Sequence, residues 1–176
     1  MDRKSDGRTA AVPSGREGLM DISRILGKYA DLAVNAGINL QQGEGLIIGT
    51  GPHGLPLARE AAKQAYAAGA SHVELLFTDD EITLSRYLYG RDCIFDHYPK
   101  WKADALIAMY RDHYQHLFIN APNPDLLRNV SAERAARDRK TVSAATAAAS
   151  EYRMTAKTRW TIVAVPSPEW AASVYP

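Results

Sequence analysis

Apolar positions recur at helical spacing from Asp21 onward, where Ile22, Ile25, Leu26, Tyr29, Leu32 and Ala33 fall on one stripe that Gly37 closes. The polar turn QQGEG leads into LIIGT, an apolar run of strand length over 46–50. GLPLAREAAKQAYAAGA then predicts a second helix rich in small residues, ending at Gly69. HVELLFT reads as a second strand in which Val73, Leu75 and Phe77 alternate against His72, Glu74 and Leu76. Thr78-Asp79-Asp80-Glu81 opens a third helix through Tyr87, with Thr78 and Glu81 as a capping box and Asp79 and Asp80 complementing the helix dipole.

Further helix is expected over 95–111, and HLFIN gives a third strand. Ser131 is placed as the cap of one long helix reaching about Tyr152. RWTIVAV has no charge after Arg159 and is apolar on both of its faces, which predicts a central strand covered by helices on each side. Ser167 and Pro168 then suit the cap and first position of a last helix. Strands separated by helices of this length need crossover connections. The expected fold is therefore α/β, a mostly parallel sheet of four to five strands with helices on both faces, three-layered and Rossmann- or flavodoxin-like.

Composition narrows the setting. The 176 residues suffice for one sizeable core, and a net charge of +1 gives no strong field for nucleic acid or an anionic membrane. Cys93 is the single cysteine, which excludes an internal disulfide and suits a reducing compartment such as the cytoplasm. No apolar stretch has membrane-spanning length. The first nineteen residues are polar and rich in Gly, Ser and Arg without an apolar signal core, so they are read as an extension, with the fold beginning near Met20.

Chemistry is harder to place. Gly49-Thr50-Gly51-Pro52-His53-Gly54 is a literal G-x-G-x-x-G between a strand and a helix, the context in which glycines let backbone approach a pyrophosphate. The helix that follows is about a turn longer than the compact fingerprint, and the acids after the next strand have a capping role available. The loop is therefore read as a tight turn, with nucleotide or flavin binding through Gly49, Gly51 and Gly54 as the alternative. Asp112, His113 and His116 cluster at a strand entrance, but no H-E-x-x-H accompanies them, and His53, His72 and His97 are isolated. These histidines are expected on the surface or in turns. Cys93 is expected buried or half-buried, and Trp101, Tyr110, Tyr114 and Trp160 as core or interface aromatics. No G-x-S-x-G nucleophile elbow occurs.

Four stretches in order resemble the N-terminal domain of the M29 family of metal-dependent aminopeptidases. They are YADLAVNAGINLQQGEGLIIGT, PLAREAAKQAYAAGASHVELLFTDDEIT, NPDLLRNVSAERAARDRK and RWTIVAVPSPEWAASVYP. The resemblance implies a protein that releases N-terminal amino acids from peptides using two divalent metal ions, zinc, cobalt or similar. In that family Glu, His, Tyr and Asp side chains of a C-terminal domain hold the metals, and none of those positions maps onto this chain. No catalytic or metal residue is therefore assigned. The resemblance implies that 20–176 form the family's first domain, inactive alone, with the missing C-terminal domain, peptide substrates and a second copy of the chain as candidate partners. A truncated homologue acting as a non-catalytic binding module is the further alternative.

Overall fold

The computed structural model describes residues 15–174. Four strands, β1 (Gly45–Thr50), β2 (His72–Phe77), β3 (Tyr114–Asn120) and β4 (Trp160–Ala164), form one sheet in the order β2-β1-β3-β4. All neighbours are parallel, with Ile48 opposite both Leu75 and Leu117, and Phe118 opposite Ile162. The helices are α1 (Gly15–Asp31), α2 (Leu55–Ala67), α3 (Asp80–Tyr89), α4 (Lys100–Arg111), α5 (Ala132–Ala145), α6 (Ala147–Met154) and α7 (Pro168–Val174). The α/β expectation holds, and the parallel order follows from the helical crossovers that join successive strands.

One face of the sheet carries the main core. Leu46, Ile48, Leu117 and Ile119 meet Ala30, Ala33 and Val34 from the first helical region and Leu57, Ala58, Ala61 and Ala65 from α2. Alanines on both helices allow close approach, and each fully buried aliphatic chain contributes about 1.5–3 kcal/mol. The buried face of α1 is thus set by Leu26, Tyr29 and Ala30, whereas Ile22, Ile25 and Leu32 of the expected stripe are exposed. Past Asp31 the helix widens into a π-helical segment, Leu32–Ile38, which stops at Asn39 in the left-handed region (φ 52°) rather than at Gly37. The opposite face is covered by α4 and α6, where Ile47, Tyr110 and Ala149 are buried.

The structure corrects several expected boundaries. Helix α1 begins at Gly15, and residues 1–14 of the expected extension lie outside the described residues. Asp79, not Thr78, caps α3 by accepting the Ile82 N–H at 3.0 Å, while the Thr78 hydroxyl donates to the Thr50 carbonyl. The helix expected over 95–111 is interrupted at Pro99, which has no N–H to donate; a short 3-10 turn, Asp92–Asp96, precedes α4. The long helix after Ser131 breaks at Thr146, whose hydroxyl donates back to the Val142 carbonyl at 2.8 Å and competes with the helical ladder. Cys93 is exposed on the 3-10 turn, not buried.

The largest correction concerns β4. It is an edge strand, since only β3 pairs with it, and its outer residues Trp160 and Ile162 are 38% and 53% exposed. Its apolar run is therefore covered on one face only. Ser167, by contrast, caps α7 as expected: it accepts from the Trp170 N–H and donates to the Pro122 carbonyl, tying the last helix to the β3 exit. At the opposite end of the sheet, Arg159 pairs with Glu44 and donates to the Ile38 carbonyl.

A satellite core joins α3, α5 and the 3-10 turn. Phe95 is fully buried, stacks on Tyr87 and lies under the guanidinium groups of Arg86 and Arg134. Asp138, on α5, accepts from Arg86 at 2.6 Å and from the Tyr87 hydroxyl at 2.5 Å. Burial, followed by the neighbouring Asp138 carboxylate, pushes the Tyr87 phenol up to about 12, so it holds its proton and donates. The Arg86 side chain keeps 36% of its surface in water, which moderates the cost of losing its partner. Asp138→Ala is expected to lower unfolding free energy by about 2–3 kcal/mol in urea denaturation. An unchanged midpoint would show that this cluster does not hold α3 to α5.

Candidate functional site

Crossovers leave β1 on opposite sides. The chain passes through α2 on one face to reach β2, then through α4 on the other face to reach β3. The loops after β1 and β3 therefore diverge and leave a crevice at the carboxyl ends of the strands, the place where open α/β sheets bind ligands. A cleft of about 500 Å³ lies there. Its mouth is formed by Thr50–His53 after β1, Asn120–Asn123 after β3, and Thr78 and Asp80 after β2. It runs inward along the α4/α6 face over Leu76, Gly49 and Phe118 to His116.

Strand alternation places these side chains. Phe118 lies directly opposite Gly49 on one side and Leu76 lies opposite it on the other, so the glycine makes a notch between two bulky residues. A Cβ built on Gly49 would sit 3.4 Å from His116 Nε2 and 3.7 Å from the Phe118 ring. His116, two residues earlier on the same face, stacks on Phe118 with ring centroids 3.8 Å apart. It is only 3% exposed, which corrects the expectation of a surface or turn histidine. His113 does occupy a turn, with φ 59°, while Asp112 ends α4, so the three residues do not converge.

A hydrogen-bonded chain fixes the buried imidazole. Arg153 Nη1 donates to the Tyr110 hydroxyl at 2.9 Å, and that hydroxyl lies 2.7 Å from His116 Nδ1. Arginine can only donate, so the Tyr110 oxygen accepts and its own proton is free for Nδ1. When the Tyr110 hydroxyl donates to Nδ1 the neutral ring carries its hydrogen on Nε2, and when Nδ1–H donates to the phenol oxygen Nε2 presents a lone pair. Burial first, and then the Arg153 charge, push the His116 imidazole down to about 3. The cleft is thus floored by a neutral imidazole. Tyr110 is a core aromatic as expected, whereas Trp101 is exposed.

The glycine loop is built for packing. A Cβ on Gly54 would lie 2.0 Å from Thr50 Oγ1 and 2.8 Å from Ile119 Cγ2, so only glycine lets the loop lie against β1 and β3. Gly51 is extended, at φ −110° and ψ −170°. Pro52 and Pro56 carry no N–H, the Gly54 N–H donates to the Gly51 carbonyl, and the Leu55 N–H donates to the Pro52 carbonyl. Few backbone donors remain for a pyrophosphate, and no lysine or arginine lines the cleft. His53 sits 3.7 Å from Glu169, and His72 sits 3.6 Å from Glu74, both exposed pairs. Among the described residues no three His, Cys, Asp or Glu side chains converge to hold a metal ion, so the donors present do not fit the implied metal pair.

Sequence reasoning missed the roles of His116, Tyr110 and Arg153. The usable signal was parity: in HLFIN, His116 shares a face with Phe118, not with the buried Leu117. The burial of His116 sets a pH dependence. Unfolded imidazole titrates near ~6.5, so between there and about 3 the unfolded chain binds more protons. Stability is fully present above that upper value and is lost as pH falls. His116→Leu, though less stable at neutral pH, is expected to show a slope shallower by up to about 1.4 kcal/mol per pH unit in this window. Denaturant titrations between pH 4 and 7 check this, and equal slopes would contradict it.

Comparison with known proteins fits this architecture. The family model described as "Thermophilic metalloprotease (M29)" matches residues 22–176. Aminopeptidase 2 of Geobacillus stearothermophilus is 36% identical over 150 residues, covering 85% of this chain and 36% of the relative. Aminopeptidase AmpS of Bacillus subtilis is 30% identical, over 88% of this chain and 38% of the relative. The solved structure of wild-type AmpT from Thermus thermophilus superposes with a TM-score of 0.83 at 28% identity, over 88% of this chain and 39% of AmpT. The chain therefore spans well under half the length of these relatives. With the family match running from the first described helix to the end of the chain, the protein belongs to the M29 family of thermophilic metalloproteases.

Proposed function

We propose that these residues form the amino-terminal α/β domain of a metal-dependent aminopeptidase, and that the two catalytic metal ions are held by polypeptide outside the 176 residues. Coverage is the observation that carries this reading. The 150 residues aligned with Aminopeptidase 2 account for 36% of that protein, leaving most of an aminopeptidase's length to supply the chemistry.

The remaining polypeptide needs a surface to pack on. The sheet edges offer one, because Leu75 and Phe77 on β2 and Trp160 and Ile162 on β4 are large apolar side chains left exposed. Single exposed apolar residues are ordinary, but edge strands bearing pairs of them are surfaces that proteins usually cover. No described helix is long and apolar enough to cross a membrane.

Two enzyme assays test the division of labour. The 176-residue chain with added zinc or cobalt is expected to release no p-nitroaniline from leucine p-nitroanilide. A chimera in which this chain replaces the aligned residues of Aminopeptidase 2 is expected to retain metal-dependent release. Turnover by the isolated chain, or a folded but inactive chimera, would contradict the proposal.

A further inference from the structure

We infer that the free edge of β2 pairs with a second copy of this chain, the stretch 75–77 lying antiparallel to the same stretch of the copy about a two-fold axis at Leu76. The inference is independent of the peptidase reading, because it uses only groups of this chain.

Tyrosine hydroxyls guard both edges of the sheet, and the backbone groups they leave open carry the argument. The Thr78 N–H donates to the Thr50 carbonyl, so even-numbered residues of β2 turn their backbone groups toward β1, and Val73, Leu75 and Phe77 turn theirs outward. The outward Val73 N–H is taken by the Tyr66 hydroxyl, which reaches it from α2 at 3.2 Å. On β4 the Val165 N–H donates to Asn120, so Trp160, Ile162 and Ala164 face outward. There the Tyr29 hydroxyl bonds both the N–H and the carbonyl of Ala164. Among the described residues nothing bonds the backbone N–H and C=O of Leu75 and Phe77. Their side chains are 44% and 47% exposed, with only apolar Leu76 between them. An open, apolar edge of this kind is a template for another strand.

The Tyr66 contact selects the register. In an antiparallel pair centred on Leu75, Phe77 would lie opposite Val73, whose N–H is already bonded. Centred on Leu76, each Leu75 lies opposite Phe77 of the second copy and exchanges N–H and C=O with it, which uses every open group and no occupied one. Leu75 and Phe77 side chains then meet as directly opposed residues, with Cβ atoms ~5 Å apart, and the two Leu76 side chains meet on the other face, beside the cleft. Glu74 falls opposite Thr78, and His72 falls toward Asp80, so no like charges meet across the axis. A two-fold contact closes on itself and stops at the dimer.

The edge of β4 does not allow the same pairing. Its open groups belong to Trp160 and Ile162, which places the axis at Thr161. The π-helical segment lies against that residue, since a Cβ on Gly37 would sit 3.3 Å from Thr161 Cγ2. Pairing would bring two such segments to about 5 Å, where packed helices need about 8–10 Å. The β2 contact is short and falls below the roughly 1,000 Å² of a stable interface, so the dimer is weak and reversible.

Sedimentation velocity and amide exchange of the 176-residue chain test this pairing. From about 10 μM to about 1 mM, a monomer–dimer equilibrium is expected with a dissociation constant on the order of 0.1–1 mM and no larger species. Exchange should slow at Leu75 and Phe77 as concentration rises, and stay unchanged at Trp160 and Ile162. Phe77→Lys, at an exposed position, should weaken dimerisation by at least about tenfold, whereas Ile162→Lys should leave it unaltered. A chain still monomeric at about 1 mM, concentration-dependent protection at Trp160 and Ile162 instead, undiminished dimerisation of folded Phe77→Lys, or growth beyond the dimer would each overturn the inference. The exchange measurement needs no variant and decides the matter even if a lysine substitution fails to fold.

Discussion

A histidine buried on the face of a parallel sheet must have its ring nitrogens satisfied or held neutral, and how β3 meets that demand organises half of this molecule. Arg153 from α6 donates to Tyr110 from α4, and Tyr110 reaches His116 Nδ1. One polar thread therefore pins two helices to the sheet through a single imidazole. The thread also closes the inner end of the cleft, where the apolar packing of α4 and α6 covers Ile47 and takes in Leu76 at its margin. Beyond it, Gly49 and Phe118 are left as cleft lining. The opening thus has two causes, the reversal of crossover direction about β1 and the point at which the covering helices stop.

Much of the architecture was legible in the sequence because it rests on local rules. LIIGT, HVELLF and HLFIN are largely apolar runs bounded by turn residues, and all lie in strands. Gly69 and Ser167 terminate and cap as their chemistry demands. The helix breaks were harder to see, since Thr146 is an ordinary helix residue until its hydroxyl bonds to the Val142 carbonyl. Position within the sheet was not legible either. RWTIVAV has the apolar continuity of a central strand, yet its exposed face lies at an edge, and exposure depends on neighbours the local pattern does not name.

The cleft shows the same limit in sharper form. Gly49, Gly51 and Gly54 were conspicuous as a motif, and in the fold they serve different ends: Gly49 opens a notch, while Gly54 lets the loop pack on two strands. The chemistry-bearing groups are Tyr110, His116 and Arg153, separated by up to 43 residues and linked only by tertiary packing. Family membership adds a different kind of information. Relatives of more than twice this length carry the name aminopeptidase, this chain aligns with well under half of each, and its sheet has exposed apolar residues on both edge strands.

The protonation state of one ring decides whether this account stands. Long-range nitrogen–proton correlation spectra of the chain at pH 6 should show His116 as a neutral imidazole. An imidazolium would mean that burial and the Arg153 charge do not hold the ring neutral, and that the Arg153–Tyr110–His116 thread is not formed as described.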